Sequence, residues 1–301
     1  MKSLFFGGVH PDGRKELSAA VPLTAMALPA QVAVPLRQHI GTPCKPLVAP
    51  GDTVCMGQKI GDGEGLCVPV HAPVSGTVEA IEDRPHPSGG TCPAIIIKND
   101  FLDTPHHTLK PYSNPDQLTQ AELVAILRES GLVGMGGAAF PTDIKSKTGM
   151  GYTGVLILNA CECEPYITAD DALLRARSGD VLRGLALLAR ILNPDQTVIG
   201  IEDNKPEAAA ILKDALRDIP GVELRILPTR YPQGAEKQLI QAITGRQVPS
   251  GGLPKDVGCA VFNVATAFAV YRAVFDGIPL MERIVTVTGE GVKQPRNLIV
   301  R

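Results

Sequence analysis

Short apolar runs separated by proline and glycine turns characterise the first third of the chain. They cover residues 32–34, 66–70, 74–81 and 94–97. Runs of this length, bounded by turn residues, are typical of β-strands rather than helices. We therefore predict an all-β domain over residues 33–100, preceded by an extended arm over residues 1–32 that is rich in Pro, Gly and Ala.

After residue 115 the apolar positions change to helical spacing and alternate with short, wholly apolar runs. Thr119 and Glu122 have the spacing of a capping box, in front of a helix that Gly131 is placed to end. The predicted strands cover residues 155–158, 197–201 and 222–227, and the predicted helices cover 173–192, interrupted near 178–180, and a segment capped by Asn-Lys-Pro-Glu at 204–207. This alternation predicts a Rossmann-like parallel sheet over residues 115–280, so the fold class is α/β plus all-β.

Charge and hydropathy exclude several classes of partner. The net charge of −2, without a basic stripe, makes nucleic acid a poor partner. No apolar stretch approaches the roughly 20 residues of a membrane span, and the N-terminus lacks the apolar region of a signal peptide. We expect a soluble cytoplasmic chain. None of its seven cysteines forms a Cys-x-x-Cys pair, so we expect no metal site within it.

Two motifs of the β domain resemble the barrel-sandwich fold of biotinyl and lipoyl carriers. One is Pro-Gly-Asp at 50–52 with Gly-Gln-Lys-Ile-Gly at 57–61, and the other is His-Ala-Pro-Val-Ser-Gly at 71–76. Such carriers hold their prosthetic group on a lysine at a hairpin tip, where this chain has Val-Pro-Val-His at 68–71. Because that lysine is missing, we predict a scaffold rather than a swinging arm.

Four loops of the predicted parallel-sheet domain carry residues suited to binding. They are the glycine-rich segment 134–142, the segment Asn-Ala-Cys-Glu-Cys-Glu-Pro at 159–165, and the segments 231–237 and 262–266. Ligands on open parallel sheets bind outside the carboxyl ends of the strands, where such loops begin. Taken singly, the first loop is equally compatible with a plain tight turn. For the second loop a functional role is favoured, with a solvated acidic loop as the alternative. A redox pair of Cys161 and Cys163 would need a strained disulfide.

Together the four loops resemble the flavin-binding fold of the RnfC family and of the NADH-binding flavoprotein subunit of respiratory complex I. The resemblance spans the chain. Its other motifs are Phe-Gly-Gly-Val-His-Pro at 6–11, Leu-Arg-Gln-His-Ile-Gly at 36–41, Cys-Glu-Pro-Tyr-Ile-Thr-Ala-Asp-Asp at 163–171 and Gly-Ile-Glu-Asp-Asn-Lys-Pro at 200–206. It implies that residues 281–301 begin an SLBB β-grasp domain, which we expect to continue beyond Arg301.

The resemblance implies FMN and NADH as cofactors, and roles for individual residues in binding them. The implied cofactor-binding set is Gly134, Gly136, Gly137, Phe140, Lys145, Asn159, Glu162, Cys163, Glu164, Tyr231, Gly234, Glu236, Asn263 and Thr266. By this resemblance the glycines and Lys145 lie along FMN and Phe140 lies near the nicotinamide nucleotide. Glu164 and Glu236 position NADH, and Glu164 and Lys145 are the implied catalytic residues.

The remaining residues of the set are assigned to parts of FMN by the same resemblance. Asn159, Glu162 and Cys163 match positions that hold the isoalloxazine and ribityl groups. Tyr231 and Gly234 match a second wall of the flavin site, and Asn263 and Thr266 match its phosphate-binding turn. Two positions depart from the complex I pattern, which has Asp at the position of Cys161 and Glu at that of Lys237. We expect these changes to affect flavin retention and the charge around NADH.

The activity implied by the resemblance is hydride transfer from NADH to FMN, followed by one-electron transfer to two tetranuclear (4Fe-4S) clusters. The family binds those clusters on Cys-x-x-Cys runs that this chain lacks. The implied partners are the other membrane and soluble subunits of an Rnf complex and, indirectly, ferredoxin or flavodoxin, with the chain peripheral on the cytoplasmic side of the inner membrane. The alternatives are an NqrA-type subunit of the sodium-pumping quinone reductase, which has lost the flavin and NADH site, and a cobalamin reductase related to RnfC.

Overall fold

The structure is a computed structural model that describes residues 7–301, so Phe6, where the first motif begins, lies outside the described residues. In chain order the strands are β1 (Thr24–Ala25), β2 (Gln31–Pro35), β3 (Lys45–Pro46), β4 (Thr53–Val54), β5 (Lys59–Asp62), β6 (Val70–His71), β7 (Gly76–Pro85), β8 (Thr91–Asn99), β9 (Val155–Ala160), β10 (Gln196–Glu202), β11 (Val222–Leu227), β12 (Cys259–Asn263), β13 (Arg283–Val287) and β14 (Arg296–Val300). The α-helices are α1 (Glu16–Ala19), α2 (Gln120–Glu129), α3 (Thr142–Gly149), α4 (Ala169–Leu192), α5 (Pro206–Ala215), α6 (Glu236–Thr244) and α7 (Val264–Tyr271). Short 3-10 segments lie at Pro115–Gln117, Leu216–Asp218 and Pro254–Val257, and a π-helical turn at Arg272–Asp276.

The described chain divides into two compact units. The barrel unit comprises residues 26–145, 269–283 and 300–301. The parallel-sheet unit comprises residues 7–25, 146–268 and 284–299. The domain bounds proposed above, at residues 33–100, 115–280 and 281–301, remain predictions.

The barrel unit contains two antiparallel sheets, with strand orders β2-β8-β7-β4 and β3-β5-β6. β8 is paired on both sides, with β2 and with β7 along nearly its whole length. Alternate side chains along β2 are buried, as expected of a strand with one face on a core. Ile60, Val74 and Ile95 are fully buried within that core. The predicted all-β domain is confirmed.

One predicted strand of the barrel unit is wrong. Residues 66–70 are mostly a loop, and only Val70 joins a strand. Pro69 has no N–H group to donate to a sheet ladder. Cys67 and Val68 are nevertheless buried, so the apolar run marks a buried loop rather than a strand.

Helix α2 begins and ends where the sequence predicts. The Glu122 backbone N–H donates to Thr119 Oγ1 at 3.3 Å, and the Thr119 N–H donates to Glu122 Oε2 at 2.7 Å. Gly131 takes a φ of +67° just after the helix. A side chain there is also excluded by space, because a Cβ would lie 2.3 Å from Pro69 O.

The parallel-sheet unit is built on a four-stranded sheet with the order β11-β10-β9-β12, and every pair in it is parallel. The core of β9 is fully buried from Leu156 to Leu158. Strands buried on both faces are wholly apolar, which explains the uninterrupted run in the sequence. The predicted parallel sheet is confirmed.

The interruption of α4 and the N-terminus of α5 can both be compared with the sequence predictions. Helix α4 contains one residue with non-helical dihedrals, Arg177, next to the predicted interruption at 178–180. Helix α5 begins within the predicted capping segment 204–207, with Lys205 at the N-cap position and Pro206 at the first position, although no side chain forms a cap hydrogen bond. Asn204 Oδ1 instead accepts a hydrogen bond from Lys205 Nζ at 2.8 Å. Pro206 is the first residue of the helix and has no backbone N–H, so no capping partner is needed at that position.

The two ends of the described chain meet in a third sheet, of order β1-β14-β13. Thr24 pairs with Leu298 and Ala25 with Ile299, in parallel. The predicted extended arm includes the extended strand β1, but it is not wholly extended, since it also contains the helix α1. The tail forms strands, but its assignment to an SLBB domain remains a prediction. No helix over residues 7–301 combines the length and the hydrophobicity that a membrane span requires.

Candidate functional site

The carboxyl ends of β9, β10 and β12 lie at one edge of the parallel sheet, because neighbouring parallel strands end on the same side. We call this the carboxyl edge. Nine of the predicted residues belong to the parallel-sheet unit and follow these strands or the end of β11. They are Asn159, Glu162, Cys163, Glu164, Tyr231, Gly234, Glu236, Asn263 and Thr266.

Asn159 and Gly234 connect the loop after β9 to the loop before α6. Asn159 Nδ2 donates to Gly234 O at 2.8 Å, and Asn159 Oδ1 accepts from the Cys161 N–H at 3.0 Å. The Gly234 N–H points at Cys163 Sγ, 3.3 Å away. A Cβ at residue 234 would lie 1.9 Å from Cys161 O, so only glycine fits there. The close contact of these two backbones explains the glycine.

Glu162 caps the N-terminus of α4 from outside the helix. Its carboxylate accepts from the backbone N–H groups of Asp170 at 2.9 Å and Asp171 at 3.4 Å. A carboxylate is favoured at a helix N-terminus, where N–H groups lack partners within the helix. The Asp170 carboxylate in turn accepts from Asn263 Nδ2 at 2.6 Å, and Asn263 Oδ1 accepts from the Ala265 N–H at 2.8 Å. These contacts fix the starts of α4 and α7 relative to each other.

Two lysines bind oxygen atoms beneath this edge, Lys205 those of a carboxylate and a backbone carbonyl and Lys15 those of two backbone carbonyls. Lys205 and Glu202 are both almost completely buried, and Lys205 Nζ lies 3.0 Å from Glu202 Oε2. Lys205 Nζ also donates to Glu162 O at 3.3 Å. Lys15 Nζ donates to Glu164 O at 2.9 Å and to Ile167 O at 2.6 Å. Burial lowers the pKa of Lys15, and the charge of Glu162 partly opposes that shift.

The thiols of this edge are poor nucleophiles. Burial raises the pKa of Cys161 well above its ordinary value and also raises the pKa of Cys163. The thiolate is the reactive form of cysteine, so neither side chain has the environment of a reactive thiol.

Replacing Asp170 with asparagine should make the stability of the chain less dependent on pH. Burial, followed by the charge of Glu162, raises the pKa of Asp170 to about 8 from 3.8. Between those values the native state binds more protons than the unfolded state, so stability falls as pH rises through this window and the loss is complete above about pH 8. We expect the thermal midpoint of Asp170→Asn to fall less across the window than that of the unaltered chain. Asp218→Asn, at an exposed position, should leave the slope unchanged, and equal slopes for all three proteins would contradict the assignment.

The other five predicted residues belong to the barrel unit. They are Gly134, Gly136, Gly137, Phe140 and Lys145. Their loop closes on itself, because the Gly134 N–H donates to Phe140 O at 2.8 Å and Val133 forms a bridge with Pro141. Gly137 has a φ of +116°, which requires glycine. The loop has the geometry of a tight turn, and its role toward a ligand stays a prediction from the family resemblance.

Sequence reasoning assigned no role to several residues of the carboxyl edge. Glu202 and Lys205 form a buried ion pair, Lys15 and Asp170 make hydrogen bonds beside it, and Gln233 is 1% exposed with no hydrogen-bond partner for Nε2 among the described residues. A signal existed for Glu202 and Lys205, because Glu202 directly follows the predicted strand 197–201 and both lie in the motif at 200–206. Lys15 gave no such signal, since its contacts are about 150 residues away in sequence.

Two family models match the chain. Residues 3–102 match the RnfC barrel sandwich hybrid domain, and residues 127–272 match the Nuo51 FMN-binding domain. The first match confirms the predicted barrel-sandwich fold. The second covers all four loops singled out from the sequence.

Relatives with high sequence identity match the chain almost from end to end. A subunit of the ion-translocating oxidoreductase complex of Serratia proteamaculans (strain 568) is 47% identical over 99% of this chain, which spans 42% of that protein. A subunit of the Na(+)-translocating ferredoxin:NAD(+) oxidoreductase complex of Acetobacterium woodii is 43% identical over 99% of this chain, which spans 68% of that protein. The chain thus spans less than half of the first relative and about two thirds of the second.

A solved structure shares the fold at lower identity. The NAD+-reducing [NiFe]-hydrogenase in the air-oxidized state matches with a TM-score of 0.52 and 23% identity, over 60% of this chain and 36% of that one. The hydrogenase likeness concerns the fold alone. Family membership rests instead on the end-to-end identity with the two oxidoreductase-complex proteins and on both family models. This chain belongs to the RnfC family, whose members are subunits of ion-translocating oxidoreductase complexes.

Proposed function

We propose that this chain binds FMN and NADH and carries the hydride-transfer step of a ferredoxin:NAD oxidoreductase complex of the Rnf type. The observation that supports it most strongly is the match of residues 127–272 to an FMN-binding domain. That range contains the carboxyl edge, where loops from three parallel strands come together. The name of one relative, a ferredoxin:NAD(+) oxidoreductase complex subunit, supports this substrate class.

The residues present at the carboxyl edge fit a flavin nucleotide. Gln233 holds a buried amide nitrogen without a partner among the described residues, and such groups are rare unless a ligand or water satisfies them. The neighbouring Gly234 is held by Asn159 Nδ2 at its carbonyl oxygen and points its N–H at Cys163 Sγ, which fixes the backbone beside Gln233. Thr266, in the first turn of α7, is 1% exposed, and a helix N-terminus favours a phosphate group. When bound, FMN supplies the ability to accept a hydride and release single electrons.

In the reaction, the protein's own residues position the two cofactors and balance their charges. Glu162 and Asn263 hold the starts of α4 and α7, and the Asn159–Gly234 hydrogen bond holds the loop before α6. Lys15 fixes the backbone at Glu164, whose exposed carboxylate we assign to NADH positioning together with Glu236. A rigidly held site positions the reacting groups without a further loss of conformational entropy. Lys145 and the glycine-rich loop are proposed to stabilise negative charge on the reduced flavin.

Electrons leave the flavin through groups outside this sequence. We propose that they pass to two tetranuclear iron–sulfur (4Fe-4S) clusters carried by a further part of the protein, and then to ferredoxin or flavodoxin through other subunits. In this proposal the chain is peripheral on the cytoplasmic side of the inner membrane. The greater length of the relatives leaves room for such a part.

Anaerobic addition of NADH to FMN-reconstituted protein tests this function. We expect one FMN to bind per chain, and its visible absorbance to bleach on addition of NADH. Because the clusters are not needed for this half-reaction, the 301-residue chain suffices. Failure to bind FMN, or a bound flavin that NADH leaves oxidised, would refute the proposal and favour the NqrA-type alternative.

Replacing Glu164 with glutamine should slow flavin reduction by NADH more than it weakens FMN binding. The change removes the negative charge assigned to NADH and leaves the backbone contact of Lys15 with residue 164 in place. We expect the half-saturating NADH concentration to rise about tenfold, the effect of losing about 1.4 kcal/mol of binding free energy. Glu207→Gln, at another exposed carboxylate of the same unit, serves as the control. Equal losses of NADH reduction and FMN affinity would show that Glu164 has another role.

A further inference from the structure

Three potential metal ligands come together in the barrel unit, at a distance from one another in the sequence. His39, Cys44 and Cys67 each offer a ligand atom, and these atoms all lie within 4.8 Å of one another. The two sulfur atoms are 3.6 Å apart. All three side chains are buried, with exposed fractions of 7%, 5% and 1%. His39 and Cys44 lie between β2 and β3, and Cys67 lies in the loop between β5 and β6.

The hydrogen bonds of His39 leave it in the form that ligates metals. The Val68 backbone N–H can only donate, so its 3.3 Å contact makes His39 Nε2 an acceptor. The proton is therefore on Nδ1, which lies 3.1 Å from Ile40 O. A metal-ligating histidine usually donates its other ring N–H to a carbonyl or carboxylate in this way. Nε2 carries the ring lone pair that would bind a metal ion, and the ion would replace the Val68 N–H as its partner.

The sulfur–sulfur separation suits a tetrahedral ion better than a disulfide. A disulfide needs its sulfur atoms about 2.0 Å apart. With Zn–S bonds of about 2.3 Å and Zn–N bonds of about 2.0 Å, ligand atoms of a tetrahedral zinc site lie roughly 3.5–3.8 Å apart. The Cys44–Cys67 separation of 3.6 Å already has this value. Both thiols also lie near the same acceptor, Val68 O, at 3.2 Å and 3.8 Å, so a carbonyl oxygen is at hand for the fourth position.

The backbone packs closely around the cluster at two glycines. A Cβ on Gly63 would lie 3.0 Å from Cys67 Sγ, and a Cβ on Gly41 would lie 2.0 Å from Leu66 O. Arg128 Nη2 donates to Gly63 O at 3.0 Å and to Asp62 Oδ1 at 2.6 Å, which holds the loop that covers Cys67. The three ligands are therefore presented by a fixed backbone.

We propose that His39, Cys44 and Cys67 bind one Zn²⁺ ion, which fastens the loop between β5 and β6 of the barrel to the loop between β2 and β3. Binding replaces the two thiol protons, so two protons leave as two Zn–S bonds form, and His39 stays neutral. The ion changes no oxidation state. This site departs from the expectation that the chain holds no metal, because its ligands come from two loops rather than from one Cys-x-x-Cys segment.

Metal content and cobalt spectroscopy of the full 301-residue chain test the site. The protein is prepared anaerobically with its affinity tag removed, stripped with a chelator and reloaded with one equivalent of Zn²⁺ or Co²⁺. We expect one tightly held ion per chain, and for Co²⁺ the thiolate charge-transfer absorption and intense ligand-field bands of a tetrahedral site. Cys44→Ser and Cys67→Ser should each weaken binding by more than about 100-fold, because losing even an outer-shell partner costs about 10–100-fold.

Matched variants separate loss of the ligand from loss of the fold. Cys92→Ser changes another buried cysteine of the same unit and should retain the ion and the cobalt spectrum. His39→Gln should keep the charge-transfer absorption of the two thiolates but bind more weakly. Zn²⁺ should raise the thermal midpoint of the unaltered chain and of Cys92→Ser, and not that of Cys44→Ser. The circular dichroism spectra of metal-free Cys44→Ser and of the metal-free parent should be the same. In that case the lost metal binding is not caused by a folding defect.

Three outcomes would overturn the proposal. The first is no retained Zn²⁺ above that of the Cys44→Ser, Cys67→Ser double variant. The second is a Cys44–Cys67 disulfide that forms in air while the reduced protein takes up no ion. The third is retention of Cu⁺ alone with Zn²⁺ excluded, which would assign the cluster to a different ion. None of these results bears on FMN binding, so the zinc site and the proposed function fail independently.

Discussion

Lys205→Met should be among the most destabilising single substitutions in the parallel-sheet unit, with an expected loss of about 3–5 kcal/mol in the free energy of unfolding. Lys205 and Glu202 are buried together, with Nζ and Oε2 3.0 Å apart. Methionine matches the length of the lysine stem but leaves the Glu202 carboxylate in the interior without its counter-charge. The Glu162 carbonyl also loses a donor. Urea denaturation followed by circular dichroism measures the effect.

A double variant tests whether the unpaired Glu202 carboxylate causes the loss of stability. Adding Glu202→Gln to Lys205→Met removes the uncompensated carboxylate, so the double variant should be more stable than Lys205→Met alone. Lys213→Met provides the matched control, because Lys213 lies exposed on α5. We expect it to change stability by less than about 0.5 kcal/mol. If the double variant is as unstable as the single one, the cost comes from packing and not from charge.

Gly234→Ala should lower FMN affinity about tenfold or more and also destabilise the chain. A Cβ would lie 1.9 Å from Cys161 O and 3.3 Å from Cys163 Sγ, so the two loops must move apart. That movement breaks the Asn159–Gly234 hydrogen bond of 2.8 Å. Forcing a methyl group into a packed site costs about 1–3 kcal/mol, and about 1.4 kcal/mol corresponds to a tenfold change in affinity. Flavin fluorescence titration and thermal denaturation measure the two effects.

Gly179→Ala is the control for this substitution. Gly179 lies in α4 with no atom within 4 Å of an added Cβ, and its φ is not positive. Alanine in a helix is favoured over glycine by about 0.5–1 kcal/mol, so this variant should be as stable as the parent or more stable. A Gly234→Ala protein with normal stability and normal FMN affinity would show that the loops separate without cost. A loss of stability with no FMN binding by the parent would preserve the structural argument and refute the flavin assignment.

Local signals in the sequence predicted local structure well. The Thr119–Glu122 capping box, the apolar run that became β9 and the interruption of α4 each depend on residues a few positions apart. The parallel sheet followed from the alternation of apolar runs with helical segments. The strand prediction for residues 66–70 failed because a buried loop can be as hydrophobic as a buried strand.

The parts of the site that sequence reasoning missed depend on contacts between distant segments. Lys15 reaches Glu164 across about 150 residues, and Asn263 reaches Asp170 across about 90. In the sequence, Lys15 and Asp170 each look like ordinary solvated side chains. Only the packing of strands β9, β10 and β12 side by side reveals that both make contacts at the carboxyl edge. The same holds for Cys44 and Cys67, which are 23 residues apart.

The pairing of β1 with β14 has a consequence for the order in which the chain is made. Every strand of the barrel sheets lies between residues 31 and 99, so those sheets can close soon after they leave the ribosome. The parallel-sheet unit is assembled from three separate stretches of chain, and Thr24 meets its partner Leu298 only when synthesis has nearly passed the last described strand. Long-range strand pairing is slow, and unpaired strand edges are prone to aggregation until they pair. During translation, β1 therefore remains an unpaired strand edge until β14 has emerged.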